Sequence, residues 1–150
     1  MVAPLFAHRL RVRYHECDQQ GVVFNAHYFA YFDIVLTEMW RELFGSYEVI
    51  YAQGTDMVVA EAAARFRGGA RFDDELELRW WITRLGTTAM STRIDVMRGG
   101  EVLVEGDMRH VFVEAGTTDK KPIPPEIRAP LERFVREPPG VGGQAPAASR

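Results

Sequence analysis

The sequence predicts an α+β domain in which an antiparallel sheet curls around one long helix. Residues 26–44 contain neither glycine nor proline and are apolar over most of a helical circumference, which is typical of a helix buried on most of its sides. Four segments after residue 55 have strand character, and three of them are clearly linked as a meander. A chain of 150 residues is long enough to bury such a core as a single domain.

The first element is a strand that ends in a polar turn. Residues 8–16 alternate between apolar side chains and basic or polar ones, which is the period of a half-exposed strand. The sequence Cys-Asp-Gln-Gln-Gly at 17–21 then ends the strand at a single glycine. Asp18 therefore lies in a turn, directly before the helical segment.

The helix is predicted to span residues 26–44. Gly45 stands where a C-terminal cap belongs, because glycine readily adopts the conformation that ends a helix. The polar side chains recur at intervals of three or four residues and form one narrow stripe: Asp33, Thr37, Glu38, Arg41 and Glu42. The remaining circumference is apolar, so other elements must cover it.

Four strands are predicted to supply that cover. They span the following segments: 56–67, 74–85, 87–97 and 102–114. The first has a weaker, alanine-rich centre, and Arg-Gly-Gly-Glu at 98–101 is typical of a hairpin turn. The resulting order is one strand, one buried helix and four strands, which favours an antiparallel sheet wrapped around the helix.

The C-terminal part of the chain is predicted to contain little further structure. A short helix is permitted near 125–136, although Pro130 weakens it or restricts it to the first turn. Residues 138–150 are rich in proline, glycine and alanine, with no periodic apolar pattern, and we expect a mobile tail there. The folded domain is therefore expected to comprise residues 1–137.

Composition excludes several classes of protein. The formal net charge of −3 gives no basic excess of the kind that nucleic-acid-binding proteins carry. The single cysteine, Cys17, can form no internal disulfide, and no apolar run approaches the roughly 18 residues of a membrane span. The N-terminus lacks the pattern of a signal peptide, so we expect a cytoplasmic protein with no membrane span. No residue cluster predicts a metal site.

Asp18 can be interpreted in two ways. An aspartate in a turn is ordinarily explained by hydrogen bonds from its carboxylate to nearby backbone amides. If the helix begins near Ala26, however, unpaired amides around residues 24–27 lie at the positive end of its dipole. They can receive a carbonyl oxygen that becomes negative in a transition state, next to a carboxylate that attacks the carbonyl or activates water. This second arrangement predicts acyl transfer.

The stretch YHECDQQGVVFNAHYFAYFD, from Tyr14 to Asp33, resembles the signature of the 4-hydroxybenzoyl-CoA thioesterase family. The positions that match it are Asp18, Gly21, Val23, Asn25, Tyr28, Tyr31, Phe32 and Asp33. Segments 65–78, 82–96 and 116–127 also resemble that family, so the likeness covers about residues 8–137. The most similar subgroup is that of bacterial acyl-CoA thioesterases, including those associated with the Tol–Pal system.

This resemblance implies a hotdog fold, in which a five-stranded antiparallel sheet wraps a long central helix. It implies that two subunits pair to make two active sites at their interface, as a homodimer or a homotetramer. The substrate would be an acyl-CoA, with CoA as part of the substrate and no separate cofactor. Asp18 would be the catalytic carboxylate, acting as a nucleophile on the thioester or as a general base on water.

The resemblance also suggests roles for neighbouring residues. Asn25 would be a turn residue whose amide contributes to the oxyanion hole, while His27 would orient water or bond to Asp18. Many relatives have asparagine directly before the motif tyrosine and some have histidine two residues earlier, so these two residue types stand here as though exchanged. The substrate-binding residues expected in this stretch are Gly21, Val23, Phe24, Tyr28 and Phe32, of which the last two shape the acyl pocket.

The CoA part of the substrate requires cationic groups for its phosphates. By resemblance, the hairpin Thr-Arg-Leu-Gly-Thr-Thr and the segment Asp-Lys-Lys lie near those phosphates. The residues predicted to bind them, or the pantetheine arm, are Arg84, Thr87, Thr88, Lys120 and Lys121. The competing interpretation is ordinary solvated surface charge, which is the commonest role of a lysine.

Several alternatives remain open at this point. A helix acid, Asp33 or Glu38, replaces the turn acid in some hotdog thioesterases, although the presence of Asp18 disfavours it here. Cys17 is predicted to be a small buried residue rather than a nucleophile, because no histidine–acid series surrounds it. The substrate could instead be an acyl group on an acidic carrier protein, bound near Lys120 and Lys121. A non-catalytic hotdog binding domain is the third possibility, because fold does not fix function.

Overall fold

The computed structural model describes residues 6–136. It contains five strands: β1 (Phe6–Arg11), β2 (Thr55–Phe66), β3 (Glu75–Leu85), β4 (Ala89–Arg98) and β5 (Glu101–Glu114). Its three α-helices are α1 (His27–Phe44), α2 (Tyr47–Ala52) and α3 (Pro125–Glu132), and a short 3₁₀ helix spans Tyr14–Glu16. The predicted tail at 138–150 lies outside the described residues.

All five strands form one antiparallel sheet in the order β1-β3-β4-β5-β2. The central strands β3, β4 and β5 alternate between buried and partly exposed residues, so each presents one face to the core. The two edge strands differ greatly in length, because β1 has 6 residues and β2 has 12. An α+β domain with a five-stranded antiparallel sheet is therefore confirmed.

Helix α1, the longest in the described chain, packs on the buried face of this sheet. Its core-facing residues are Tyr28, Tyr31, Phe32, Val35, Leu36, Met39 and Trp40. Phe32 fits against the backbone of β5, because a Cβ added at Gly106 would lie 2.4 Å from the phenyl ring. Glycine is thus required on β5 for the helix to approach the sheet so closely.

The apolar cover of α1 is narrower than the sequence predicted. Phe29 and Ile34 lie beside the polar stripe and are exposed, at 37% and 38%. The side of α1 that includes Asp33 and Thr37 is also exposed. One face of the central helix is therefore left open by this single chain.

Two predicted boundaries need correction, and one helix was missed. The first strand ends at Arg11 instead of residue 16, because the chain then enters the 3₁₀ helix, in which Glu16 Oε1 accepts from the Arg13 amide at 2.7 Å. Helix α2 was not predicted at all. Pro130 lies inside α3, which ends two residues later at Glu132 rather than near residue 136. The predicted Gly45 cap of α1 is confirmed, since Gly45 has φ 87° and donates to the Arg41 carbonyl.

The opposite face of the sheet carries a network of ion pairs. Arg93 on β4 binds Asp95 at 2.9 Å and Glu105 at 3.0 Å, and Arg65 on β2 joins the network through Asp107 at 3.0 Å. Such partly exposed pairs contribute little stability each. They make this face polar, in contrast to the apolar face beneath α1.

Candidate active site

The turn that contains Asp18 is closed by backbone hydrogen bonds. The Asp18 amide donates to the Val22 carbonyl at 2.8 Å, and the Gly21 amide donates to the Asp18 carbonyl at 3.0 Å. Gly21 has φ 79°, a conformation that residues with a Cβ rarely adopt. The Gln20 amide donates to Asp18 Oδ1 at 2.8 Å. No hydrogen bond to Oδ2 is present within residues 6–136, so one carboxylate oxygen is held and the other is available.

Glu16 ties this turn to the central helix. Its Oε1 accepts hydrogen bonds from the Arg13 amide at 2.7 Å and from the Tyr31 hydroxyl at 3.0 Å. Its backbone carbonyl accepts from the Phe24 amide at 2.9 Å. Burial raises the pKa of the Tyr31 phenol, and the neighbouring Glu16 carboxylate raises it further, so the hydroxyl stays protonated and remains a donor. Glu16 therefore fixes the position of Asp18 relative to α1.

The N-terminus of α1 provides backbone donors beside the turn. The cap residue, Ala26, makes no side-chain capping bond. The His27 and Tyr28 amides form turn-like bonds to the Phe24 and Asn25 carbonyls, at 2.9 and 3.3 Å. The amides of Asn25 and Ala26 have no acceptor among residues 6–136. Unpaired amides at a helix N-terminus favour a negative oxygen, which agrees with the predicted oxyanion site.

A cavity of about 350 Å³ joins the turn to the helix. Its lining residues are Asp18, Gln20, Val22, Val23, Asn25, Tyr28, Phe66, Arg67, Gly68 and Gly69. The buried Tyr28 hydroxyl accepts a hydrogen bond from the Ala70 amide at 3.2 Å, which holds the segment after β2 against the helix. A Cβ added at Gly69 would lie 2.8 Å from a Val22 methyl carbon. Glycine therefore allows the two segments to form a common wall.

Four of the predicted site residues thus line one cavity: Asp18, Val23, Asn25 and Tyr28. Gly21 lines a neighbouring cleft of about 540 Å³ on the other side of Asp18. Phe24 is exposed, and the His27 ring lies edge-on to it with centroids 6.2 Å apart. No His27–Asp18 hydrogen bond is present in the described chain. Phe32 is fully buried in the core and presents no surface to the cavity.

The alternative candidates occupy other positions. Asp33 lies on the open face of α1, and Glu38 is bound to Arg41, whose guanidinium lowers the pKa of that carboxyl. Cys17, predicted to be a small buried residue, is half-buried and packs against the core.

The residues predicted to bind CoA phosphates lie at the other end of the sheet. The Asp18 cavity adjoins the end of β2 and the segment that leads into β3, whereas Arg84 lies near the end of β3. A strand of 11 residues spans roughly 30 Å, so one chain does not bring these groups together. Lys121 Nζ also binds the Gly54 carbonyl at 3.1 Å and Glu114 at 3.2 Å. Thr87, Thr88 and Lys120 lie at this same end.

The sequence interpretation missed the second wall of the cavity. This wall consists of Phe66, the last residue of β2, and of Arg67, Gly68 and Gly69 after it, and Arg71 bridges to Val22. A signal for this wall was present, because a Gly-Gly pair directly after a strand marks a close backbone approach. Its contact with residue 22 depends on topology and is not visible in the local sequence.

The family model described as the thioesterase superfamily matches residues 20–105. The chain belongs to the thioesterase superfamily. It is therefore a thioester hydrolase. The matched segment begins two residues after Asp18, so it covers the oxyanion region and the Gly-Gly wall of this thioesterase but not the turn acid itself.

Individual relatives agree with this assignment. The acyl-CoA thioester hydrolase YbgC of Escherichia coli is 30% identical over 134 residues, covering 89% of this thioesterase and 100% of the relative. A hypothetical protein of Thermus thermophilus superposes with TM-score 0.78 at 32% identity, covering 85% and 98% of the two chains. A thioesterase-superfamily protein from Jannaschia sp. CCS1 has TM-score 0.81 at 23% identity, covering 87% and 93%, and supports the fold.

Two further observations concern ligands and membranes. Among residues 6–136 of this thioesterase, no group of three or more histidine, cysteine, aspartate or glutamate side chains is placed to hold a metal ion. None of the helices in the described part is long and apolar enough to cross a membrane.

Proposed function

We propose that this thioesterase hydrolyses acyl-CoA thioesters, with Asp18 as the catalytic carboxylate. The observation that carries the proposal is the position of Asp18 in one cavity with Asn25, at the uncapped N-terminus of α1. The proposal also draws on the name of the YbgC relative, an acyl-CoA thioester hydrolase. Within the superfamily, we place the chain in the same subgroup of bacterial acyl-CoA thioesterases, associated with the Tol–Pal system.

The hydrolysis can be written with Asp18 as general base. The free Oδ2 removes a proton from water, whose oxygen bonds to the thioester carbonyl carbon. The carbonyl oxygen becomes an oxyanion and accepts hydrogen bonds from the Asn25 and Ala26 amides. The C–S bond then breaks, and the proton returns from Asp18 to the CoA sulfur. The products are a carboxylic acid and free CoA.

Asp18 can alternatively attack the carbonyl carbon itself and expel CoA, forming a mixed anhydride that water then hydrolyses. The two routes differ in where the oxygen of water goes. In a single turnover in ¹⁸O water, direct hydrolysis labels the product acid only. An anhydride opened at the Asp18 carbonyl carbon instead labels Asp18, so ¹⁸O found by mass spectrometry in the peptide containing that residue identifies the anhydride route. An anhydride opened at the acyl carbon labels the product acid, as direct hydrolysis does.

We further propose that two copies pair through β2. This strand is a 12-residue edge, and its centre is exposed, with Val59 at 56%. A long open edge is a template for pairing with another strand, and the open face of α1 lies on the same side. A two-fold symmetric pair of β2 strands runs antiparallel. The start of the partner's β2 then lies beside the end of this one.

Antiparallel pairing would bring the Asp18 cavity of one copy close to the residues of the other copy that are predicted to bind CoA phosphates. The Asp18 cavity includes Phe66 at the end of β2, while Lys121 binds Gly54 just before its start. In the proposed dimer, the end of the sheet that carries Arg84 and Lys120 of the partner subunit approaches the Asp18 cavity. Each active site would therefore use the acid of one copy and the cations of the other.

The two alternative functions, hydrolysis of acyl groups on a carrier protein and a non-catalytic binding role, receive less support. A carrier protein is acidic and would need a basic surface around Lys120 and Lys121, but Lys121 is only 18% exposed and already pairs with Glu114. A purely binding role leaves the held Asp18 and the unpaired amides without a purpose. Matched acyl-CoA and acyl-carrier substrates would separate the first alternative from hydrolysis of acyl-CoA.

The decisive experiment is the Asp18→Asn variant, measured with a panel of short, long and aromatic acyl-CoAs. We expect it to fold normally and to lose at least about a hundredfold in kcat/KM, because the amide cannot accept the proton. The control is Asp73→Asn, which changes an exposed carboxylate at the same end of the sheet. Turnover in Asp18→Asn equal to that of Asp73→Asn would eliminate Asp18 as the catalytic group.

The shared site can be tested by mixing inactive variants. Asp18→Asn removes the acid, and the double variant Arg84→Glu/Lys120→Glu removes the cations. A mixed dimer would contain one site with both features intact. We expect the refolded mixture to be more active than either parent. Activity that equals the average of the two parents would mean that each site belongs to one chain.

A further inference from the structure

A second cavity, of about 400 Å³, lies between α1 and the first half of β2, away from Asp18. Leu36 and Trp40 contribute its helix side, Val59 lies on β2, and His110 lies on β5. Asp33 and Thr37, on the open face of α1, stand at its rim. The cavity thus combines an apolar wall with a few polar groups, as small-molecule sites do.

His110 is the unusual member of this cavity. It pairs with Val59 on β2 and Met90 on β4, and its alternation on β5 directs it toward α1. Only 4% of the residue is exposed, and its Nδ1 has no hydrogen-bond partner among residues 6–136. The indole nitrogen of Trp40 is likewise buried without a partner. Two unsatisfied buried polar groups at one cavity are costly unless something binds there.

Burial lowers the pKa of His110, while the Asp33 carboxylate works in the opposite direction. The imidazole is therefore neutral near neutral pH. A neutral imidazole nitrogen either donates or accepts a hydrogen bond, whereas the Trp40 nitrogen only donates. A hydroxyl group complements both kinds of nitrogen, since its oxygen can accept from an indole N–H and its hydrogen can be donated to an imidazole nitrogen.

Small residues occupy the part of β2 that lies between this cavity and the Asp18 cavity. Between Val59 and Phe66, the residues of β2 that share the helix-facing side are Ala62 and Ala64, which pair with Met108 and Gly106 on β5. Neither alanine is buried. The alanine-rich centre of β2, weak as a strand signal, therefore leaves space along α1.

The distance between the two cavities along α1 suits an acyl chain. Tyr28 packs near Phe66 at one end, with ring centroids 5.7 Å apart, while Trp40 shares the second cavity with Met57. From His27 to Leu36 the helix rises by about 14 Å. A thioester carbonyl held at the helix N-terminus can thus extend its chain along α1 toward His110.

We propose that His110 determines specificity for acyl chains that carry a hydroxyl group near their far end. This inference rests on the proposed thioesterase reaction, and it assigns the second cavity to the distal end of the acyl group. Carboxylate ends are disfavoured, because Asp33 and Asp56 are acidic residues of the same cavity. A plain alkyl end leaves the His110 and Trp40 nitrogens unpaired and binds less well.

The test compares plain and ω-hydroxy acyl-CoAs as matched pairs from hexanoyl to dodecanoyl. We expect wild-type kcat/KM to favour the ω-hydroxy member by about tenfold or more at one intermediate length. His110→Leu should abolish this preference, by lowering the rate on the hydroxylated substrate and raising it on the plain one. His110→Asn, which keeps a hydrogen-bonding group, should retain part of it. Met97→Leu, a buried substitution on β4 that lines neither cavity, should leave the ratio unchanged.

A binding measurement keeps this test independent of catalysis. Calorimetry with decanoic and ω-hydroxydecanoic acids should show tighter binding of the hydroxylated acid to wild type and to Asp18→Asn, but not to His110→Leu. No hydrolysis of any acyl-CoA, with this binding preference intact, would refute the proposed reaction and leave the cavity assignment standing. Equal rates and equal binding within every wild-type pair, or a preference unchanged in His110→Leu, would refute the role of His110.

Discussion

Replacing Gly106 with alanine tests how closely α1 approaches the sheet. An added Cβ would lie 2.4, 2.7 and 2.8 Å from three atoms of the Phe32 ring, whereas ordinary contact begins at 3.4 Å. The ring must therefore retreat by about 1 Å, the difference between 3.4 and 2.4 Å. Phe32 is fully buried, and Gly106 is paired on both sides with Ala64 and Ile94, so neither can move freely.

The cost can be estimated from these contacts. Overpacking of a core costs about 1–3 kcal/mol, and the lower chain entropy of alanine returns roughly 0.5–1 kcal/mol. We expect Gly106→Ala to lower the free energy of unfolding by about 1–2 kcal/mol. At about 2–4 °C per kcal/mol for a chain of this size, Tm should fall by about 2–8 °C. Thermal unfolding at one fixed protein concentration measures this change, because pairing of copies would make Tm concentration-dependent.

Two further variants determine whether the loss comes from Phe32. Gly100→Ala is the matched control, because no atom lies within 4 Å of its added Cβ, and Tm should change little. Phe32→Leu should cost less stability in the Gly106→Ala background than in wild type, by at least about 1 kcal/mol, because the shorter side chain makes room. A Gly106→Ala protein as stable as wild type, or additive effects of the two substitutions, would refute the close approach.

Three other predictions concern single contacts. Tyr28→Phe should lower the free energy of unfolding by about 1–3 kcal/mol in denaturant titrations, because the buried Ala70 amide loses its acceptor. Burial lowers the pKa of His110, so at acidic pH the unfolded chain binds a proton that the folded chain does not. The free energy of unfolding should therefore fall as pH drops below 6.5, and the decrease in Tm from about pH 7.5 to 5.5 should be smaller in His110→Leu. Gly21→Ala, at φ 79°, should reduce both Tm and kcat/KM, whereas an unchanged kcat/KM would show that the turn does not position Asp18.

Much of the fold was predictable from local patterns. The period of two in β3, β4 and β5 and the glycine-free run of α1 matched the structure to within one or two residues at most boundaries. The strand before Asp18 was overextended, because Glu16 draws the chain into a 3₁₀ helix through the Arg13 amide. Alternation alone cannot reveal that competing bond. Helix α2 was missed because it is only six residues long.

The candidate site was predicted on one side only. Asp18, Asn25 and Tyr28 lie within one short stretch, so a motif could connect them to the start of a helix. The opposite wall, from Phe66 to Gly69, lies about forty residues later and reaches Asp18 because β2 is an edge strand running back along α1. Contacts of that separation depend on strand order, which a single sequence does not display.

The sequence by itself determined the five strands, the long helix, the turn that holds Asp18 and the superfamily, because periodicity and motif are local properties of a chain. The tertiary structure decided which side of α1 remains open, where β2 ends in the sheet, and that Arg84 lies roughly 30 Å from the Asp18 end of β3. It also decided that His110 is buried without a partner beneath that open side. These features follow from the order and register of strands distant in sequence, which set the neighbours of each side chain.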